Sequence, residues 1–217
     1  MTDFSKRRAI MVDTQVRPND VTSFAIIDAF LSVQRELFVP QSKREAAYAG
    51  ENIDLGQGRV VLEPRTIAKM LEAADIAPGD VVLDVATGFG YVAALAGRLA
   101  EAVIALEEDE TFVSEAEGAL AEAGSDNVVV IGGTHAEGAA KHGPYDVILI
   151  QGAVEDVPTE LTDQLREGGR IVAVFSEAAL GVVCVGLQVD GRVSWRYSFN
   201  AGAPVLKGFE KAAAFAL

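Results

Sequence analysis

Apolar side chains recur along this chain with two different periods, and the switch between them lays out the elements. From Pro78-Gly79 onward, short continuous apolar runs alternate with amphipathic stretches. Strands are predicted near 80–86, 102–107, 127–132, 145–151 and 169–175, and helices near 91–100, 110–123 and 156–166. Asn127-Val-Val-Val-Ile and Tyr145-Asp-Val-Ile-Leu-Ile are continuous apolar runs, the pattern of strands buried on both faces. Leu165-Arg-Glu-Gly-Gly-Arg reads as a helix ending on glycine with a strand restarting behind it. Alternation of this kind predicts an α/β fold with a doubly wound, mostly parallel sheet.

The pattern differs at both ends. After Phe175, Val182 to Val189 and Arg192 to Phe199 flank Asp190-Gly191, a favoured two-residue turn, so an antiparallel hairpin is predicted there. Phe209 to Leu217 adds a last short strand or simply packs. Before the sheet, residues 1–75 read as a helical and loop extension on the substrate side, with 76–217 as the ligand-binding domain. Phe24, Ile27, Phe30 and Leu31 share one face of a helix capped at Thr22 or Asn19, and Pro40 ends that segment. Residues 51–64 read as a glycine-punctuated loop, and Thr66 to Ala74 as a helix with Ile67, Met70 and Leu71 inward. Internal repeats are absent from the sequence.

The chemistry concentrates at residues 81–90, Val-Val-Leu-Asp-Val-Ala-Thr-Gly-Phe-Gly, where a predicted strand passes through a tight turn into a helix. That unit holds nucleotide-like ligands at the carboxyl end of a strand. Gly88 and Gly90 carry no Cβ, so the backbone can turn sharply and approach a ligand. Glu107 ends the next predicted strand, 17 positions after Gly90, where a carboxylate can accept hydrogen bonds from both hydroxyls of a ribose. Two ligand classes fit: nicotinamide or flavin dinucleotides, and S-adenosylmethionine. Ala93 stands where the dinucleotide fingerprint wants its third glycine. Asp84-x-Ala86-x-Gly88-x-Gly90 and the closing antiparallel pair suit the Rossmann-like S-adenosylmethionine methyltransferases better.

Composition narrows the field. With 217 residues, half of them hydrophobic, the chain can bury one sizeable core. No apolar run approaches the roughly 18–20 residues of a membrane span, and the N-terminus lacks a secretory pattern. The single Cys184 reads as buried and inert, which together with these features points to the cytoplasm. No metal-ligand cluster is present; His135 and His142 stand apart from any cysteine. Net charge is −14, and residues 71–165 hold nineteen acidic side chains against two basic ones. Such a surface repels phosphate backbones, so nucleic acid is excluded as the main partner.

With these residues in hand, the chain resembles the protein-L-isoaspartate O-methyltransferase family over about residues 11 to 175. The resemblance rests on Met11-Val-Asp-Thr-Gln15, Val33-Gln-Arg-Glu-Leu-Phe-Val-Pro40, Ala47-Tyr48, the Asp84–Tyr91 loop, Glu107, Pro144-Tyr145-Asp146 and Leu161-x-x-Gln-Leu-x-x-Gly-Gly-Arg170. It implies methyl transfer from S-adenosylmethionine to the α-carboxylate of an isoaspartyl residue, a step in protein repair. It also implies a cofactor site at Asp84, Ala86, Thr87, Gly88, Gly90, Tyr91, Glu107, Thr134 and His135.

The resemblance breaks in two places. The family's Gly-Gln-Thr-Ile-Ser-x-Pro loop, whose hydroxyls face substrate and cofactor, is here Gly58-Arg-Val-Val-Leu-Glu-Pro64. Val60 and Leu62 stand at the hydroxyl positions, and their side chains form no hydrogen bonds. The family's Gly-Asp-Gly, whose aspartate reaches the adenine side, is here Gly133-Thr134-His135. Arg59 or Arg65 can hold an acceptor carboxylate as a bidentate partner, or can be loop charges; Glu63 beside them repels one. Tyr91 covers the methionine part of the cofactor or packs, His135 stacks on the adenine or lies on a surface loop, and Trp195 packs in the hairpin. Gln151-Gly152-Ala153 is a secondary site at the end of the fourth strand. Three readings follow: a methyltransferase for isoaspartyl peptides or proteins, a divergent methyltransferase for another protein or small-molecule acceptor, and a non-catalytic binding protein on the same fold.

Overall fold

A computed structural model describes residues 3–177 and 180–211. Its first strands, β1 (Ile53–Gly56) and β2 (Arg59–Val61), form a small antiparallel hairpin. The other strands are β3 (Val81–Val85), β4 (Ala102–Glu107), β5 (Val128–Gly132), β6 (Tyr145–Val154), β7 (Leu165–Glu177), β8 (Leu180–Val189) and β9 (Arg192–Asn200). They make one sheet in the order β5-β4-β3-β6-β7-β8-β9. Strands β5 through β7 run parallel, and β8 is antiparallel to both β7 and β9. The chain enters at β3, moves outward through β4 to β5, and returns to β6 on the other side. That reversal opens a crevice at the carboxyl ends of β3, β4 and β6, the place where such sheets bind ligands.

Alternate residues of the central strands enter different cores. Val82, Val103, Val147 and Val172 join one cluster, with side chains from α2 (Phe24–Ser32), α3 (Pro64–Ala74), α4 (Tyr91–Gly97) and α5 (Glu110–Ala123). Leu83, Leu106, Ile148 and Ile171 face the other way, onto Tyr145, Leu161, Leu206 and Phe209. The first face also buries the N-terminal segment, where α1 (Phe4–Met11) continues into a π turn over Val12–Val16. The second face, among the described residues, carries a single helical turn, α6 (Thr159–Thr162), short 3₁₀ turns and the segment around Leu206. Among the described residues, no helix is long and apolar enough to cross a membrane.

Several expectations change. The helix expected at 156–166 contracts to α6, and Leu165 already pairs with Tyr145 at the start of β7. The side chain of Gln164 explains the early stop: its amide donates to Glu137 O and Glu160 O and accepts from Ala139 N, tying the chain down before a second turn forms. The glycine-punctuated loop at 51–64 contains the β1–β2 hairpin, because Ile53 and Leu55 alternate inward and Gly56, Gln57 and Gly58 all take positive φ at its tip. In α2 the cap is Ser23, whose hydroxyl accepts from Ile26 N, and the buried face is Ile26, Ile27, Ala29 and Phe30. Phe24, in the first turn, stands 84% exposed, and Leu31 is 38% exposed. Strand β5 lies at the sheet edge, so Val129 faces solvent and only part of that strand is covered.

The C-terminal hairpin forms as expected, with Asp190 and Gly191 both at positive φ. Trp195 packs edge-on against Phe175. Cys184 is half-buried in β8 rather than buried. Of the expected tail, Phe209 is buried in the second core, while residues 212–217 lie outside the described residues.

Candidate functional site

The turn after β3 brings the expected residues to the crevice. Ala86, Gly88 and Gly90 all take positive φ, and Gly90 caps α4. Gly88 takes φ +61, which strains any residue with a Cβ, and a Cβ there would lie 2.8 Å from Leu55 Cδ1 on β1. The hairpin thus sits directly on the glycine turn. Thr87 N donates to Leu106 O at 3.1 Å, which ties the turn to β4. Asp84 is fully buried: one oxygen accepts from Thr87 Oγ1 at 2.6 Å and the other from Gln151 Nε2 at 2.7 Å. Burial pushes its carboxyl up to about 7, against the pull of those two bonds.

Glu107 ends β4 fully buried, at the centre of a dense set of donors. Its Oε2 accepts from Gly88 N at 2.8 Å, and its Oε1 from Glu108 N at 3.0 Å and Asp109 N at 3.3 Å. His135 Nε2 lies 3.1 Å from Oε1. The same nitrogen is 3.1 Å from Glu108 N. It serves one of these partners at a time, as donor to Glu107 or as acceptor from Glu108. Arg59 on β2 reaches across with both fork nitrogens, each 2.9 Å from one Glu107 oxygen, and its Nη2 also donates to Ala86 O at 2.6 Å. Burial alone would raise the Glu107 carboxyl; His135 and Arg59 overcome it and hold the group down at about 2.

Beside this carboxylate is a cavity of about 450 Å³. Its walls come from the hairpin tip (Gln57, Gly58, Arg59), from Glu107 to Asp109 with Phe112 and His135, and from Pro204 to Lys207. His135 is 3% exposed, so it is a wall of this cavity and not a surface-loop residue. Thr134 is exposed and makes no capping bond with its side chain. The set fits a nucleoside: a carboxylate for a diol, with Phe112, Val205 and Leu206 as apolar walls for a base. The one mismatch is Arg59, which already takes both Glu107 oxygens. A separate cleft of about 350 Å³, lined by Ser32, Gln34, Arg98 and Asn127, lies at the opposite end of the sheet and contains none of these groups.

Next to the turn, Val60, Leu62, Thr87, Tyr91 and Gln151 enclose a much smaller space. Gln151, the secondary site residue, therefore joins Asp84 to this apolar corner. Tyr91 is turned inward, against Phe30 and Phe38 and under the Arg35 guanidinium, with its hydroxyl unpaired. Arg35, wholly buried, donates to Ala47 O at 2.7 Å and Leu62 O at 2.8 Å, which fixes the backbone where the loop hydroxyls were expected. Arg65 points elsewhere: its Nε donates to Asn19 Oδ1 at 3.1 Å, and Nη1 lies 3.5 Å from Glu63 Oε1. Glu63 also accepts from Thr66 Oγ1 at 2.8 Å.

Sequence reasoning missed the C-terminal wall. Residues 204–206 run parallel to β6 beside Ala153, with Ala153 N donating to Pro204 O at 2.9 Å and Leu206 N to Ala153 O at 2.8 Å. Gly152 makes room for them: a Cβ there would lie 2.5 Å from Leu206 Cγ. The only trace in the sequence is a small residue in an otherwise bulky strand, Ile148-Leu-Ile-Gln-Gly152-Ala-Val.

The protein-L-isoaspartate(D-aspartate) O-methyltransferase family model matches residues 6–193. The protein-L-isoaspartate O-methyltransferase of Koribacter versatilis (strain Ellin345) is 39% identical over 193 residues, spanning 89% of this chain and 87% of its own length. The Roseiflexus castenholzii enzyme of the same name is 34% identical over 170 residues, 78% of each chain. Among solved structures, a protein-L-isoaspartate O-methyltransferase gives a TM-score of 0.78 at 24% identity, over 94% of this chain and 65% of the other. A Plasmodium falciparum protein assigned to the same activity, in complex with S-adenosyl-L-homocysteine, gives 0.80 at 18% identity, over 95% and 99%. Likeness at these two identities bears on the fold, a mostly parallel seven-stranded sheet closed by antiparallel strands.

Proposed function

This chain belongs to the protein-L-isoaspartate(D-aspartate) O-methyltransferase family, and from that premise we propose that it methylates carboxylates of isoaspartyl peptides or proteins with S-adenosylmethionine as donor. The observation that carries the cofactor half is Glu107: a buried, ionised carboxylate facing Gly88 N across the glycine turn, at the mouth of a nucleoside-sized cavity.

When bound, S-adenosylmethionine supplies a methyl group activated on a sulfonium. Glu107 accepts from the ribose hydroxyls, and Phe112, Val205, Leu206 and His135 flank the base. Gly88 and Gly90 supply the positive φ that the turn needs to present its backbone N–H groups at the crevice. The acceptor carboxylate is already ionised at neutral pH, so no residue has to remove a proton. The chain's task is to align that oxygen with the methyl carbon and to keep water out. Val60 and Leu62 exclude water but cannot hold the acceptor. Of the two arginines considered for that role, Arg59 borders the cavity and Arg65 is engaged with Asn19 and Glu63.

A second reading rests on Val60 and Leu62 themselves. An apolar corner in place of the hydroxyl pair suits an acceptor other than an isoaspartyl carboxylate, protein or small molecule. The test is transfer of labelled methyl from S-adenosylmethionine to an isoaspartyl peptide, with the aspartyl isomer as control. Base-labile label on the isoaspartyl peptide alone supports the first reading. Cofactor binding without transfer to either peptide supports the second, and no cofactor binding points to a non-catalytic protein on this fold.

A further inference from the structure

The Glu107 carboxylate has more donors than it has places for them. Oε1 receives Arg59 Nη1, Glu108 N and Asp109 N and faces His135 Nε2; Oε2 receives Arg59 Nη2 and Gly88 N. A carboxylate offers about four lone-pair directions in all. No acceptor capacity is left for the two hydroxyls of a ribose.

The donors differ in how they can give way. Gly88, Glu108 and Asp109 contribute backbone N–H groups from the turns that follow β3 and β4, tied down by Thr87 N to Leu106 O and Gly133 N to Glu107 O. Arg59 contributes a side chain on a flexible stem from a hairpin whose tip, Gly56 to Gly58, is held to the body of the site by an exposed bond from Gln57 Nε2 to Asp109 Oδ2 at 3.0 Å. Apart from Glu107 and Ala86 O, its polar atoms are uncommitted: Nε is buried without a partner. Its guanidinium lies 5.7 Å from the centre of the Phe112 ring, and its side chain is only 11% exposed, so it is a wall of the cavity packed against both Phe112 and Glu107.

We propose that Arg59 is an internal competitor for the cofactor's ribose. Its guanidinium and the ribose diol present the same thing to Glu107, a pair of parallel donors, and only one of them can be satisfied at a time. Cofactor affinity in this chain is then the intrinsic affinity multiplied by the fraction of molecules in which Arg59 has let go. This rests on the reading of Glu107 as the ribose ligand, and extends it by naming the residue that sets how tightly the ligand is held. Removing the guanidinium does not remove the acceptor. With Arg59 gone, and with His135 Nε2 accepting the Glu108 N–H rather than donating, Gly88 N and Asp109 N stay on the carboxylate and two acceptor directions open for the diol.

The test is calorimetric titration of S-adenosylhomocysteine into the full chain and into Arg59→Gln and Arg59→Met, the latter keeping an unbranched stem over Phe112. Folding of each is checked by circular dichroism. Both variants are expected to bind about tenfold tighter or better. Adenosine and 2′,3′-dideoxyadenosine then locate the effect. The gain should appear with adenosine and vanish with the dideoxy nucleoside, which has no hydroxyl to compete for Glu107. Equal or weaker binding of S-adenosylhomocysteine by both variants overturns the proposal while leaving the cofactor assignment intact. An equal gain with the dideoxy nucleoside also overturns it, since Arg59 would then merely fill space. Absence of binding in the native chain and both variants refutes the cofactor assignment itself and the competition with it.

Discussion

Asp84 is a carboxyl group that the fold would rather keep protonated, and replacing it with asparagine should change how stability depends on pH. In the unfolded chain an aspartate titrates near 3.8; buried under Thr87 and Gln151 it is pushed up to about 7. Between those values the folded state holds a proton that the unfolded state has lost, so stability must fall as pH rises through that window. Within the window, each step of one in pH costs the folded state about 1.4 kcal/mol. From pH 5 to pH 8 the group therefore removes about 3 kcal/mol from the native chain. For a domain of this size that is roughly 6–12 °C in Tm. The asparagine introduced by Asp84→Asn is a near-isostere, its carbonyl accepting from Gln151 and its amide donating to the Thr87 hydroxyl, with no charge at any pH. Glu107 stays ionised throughout the window, being held at about 2, and cancels from the comparison. The assay is thermal and urea unfolding of the native chain and Asp84→Asn at pH 5, 6, 7 and 8. The native chain should lose stability relative to the variant as pH rises, and level off above pH 7. Parallel profiles, or a native chain that gains on the variant with pH, would refute the reasoning.

Arg35→Ala strips the donor from two buried carbonyls, Ala47 O and Leu62 O, and should cost at least about 3 kcal/mol in urea unfolding; Arg35→Lys should not restore it, because one ammonium nitrogen cannot stand at both the Nε and the Nη2 positions. Gly88→Val puts a branched side chain at φ +61 and against Leu55, with strain of about 1–2 kcal/mol. S-adenosylhomocysteine affinity should drop at least tenfold while far-UV circular dichroism stays native, and normal affinity would make the loop a mere turn. Val60→Thr with Leu62→Ser should raise turnover on an isoaspartyl peptide at nearly constant S-adenosylhomocysteine affinity. Losing the buried Leu62 costs stability of about 2–4 kcal/mol, so the assay belongs well below the melting range. A native chain that already matches the double variant would show that the hydroxyls are dispensable.

Much of the sheet was readable because its signals are local. Continuous apolar runs, Asp190-Gly191 and the glycine turn each specify their own segment, and β3, β4, β6, β8 and β9 emerged close to their expected limits. The failures were non-local. Whether 156–166 makes a helix depends on where the Gln164 side chain finds partners, twenty-odd residues upstream. The β1–β2 hairpin was hidden because its glycines look like loop punctuation until the alternation of Ile53 and Leu55 meets a core to bury in. In the site, Asp84, Gly88 and Glu107 could be placed from spacing alone. That Arg59 grips Glu107 could not, because the two stand 48 positions apart and nothing local separates Arg59 from Arg65. His135 illustrates the same limit: a histidine after a glycine pair reads as surface until the fold closes Glu107 over it.

The cavity beside Glu107 is assembled from three stretches far apart in the chain: 57–59, 107–112 and 204–210, with His135 between. During synthesis the strand bearing Glu107 emerges well before Pro204 to Leu206 can be laid beside Ala153. A nascent chain can thus form the glycine turn, and even the Arg59–Glu107 clasp, with one wall of the nucleoside chamber still unmade. In that interval the clasp gives the carboxylate a charged partner. The cavity is closed on that side only when Leu206 has settled into the notch left by Gly152.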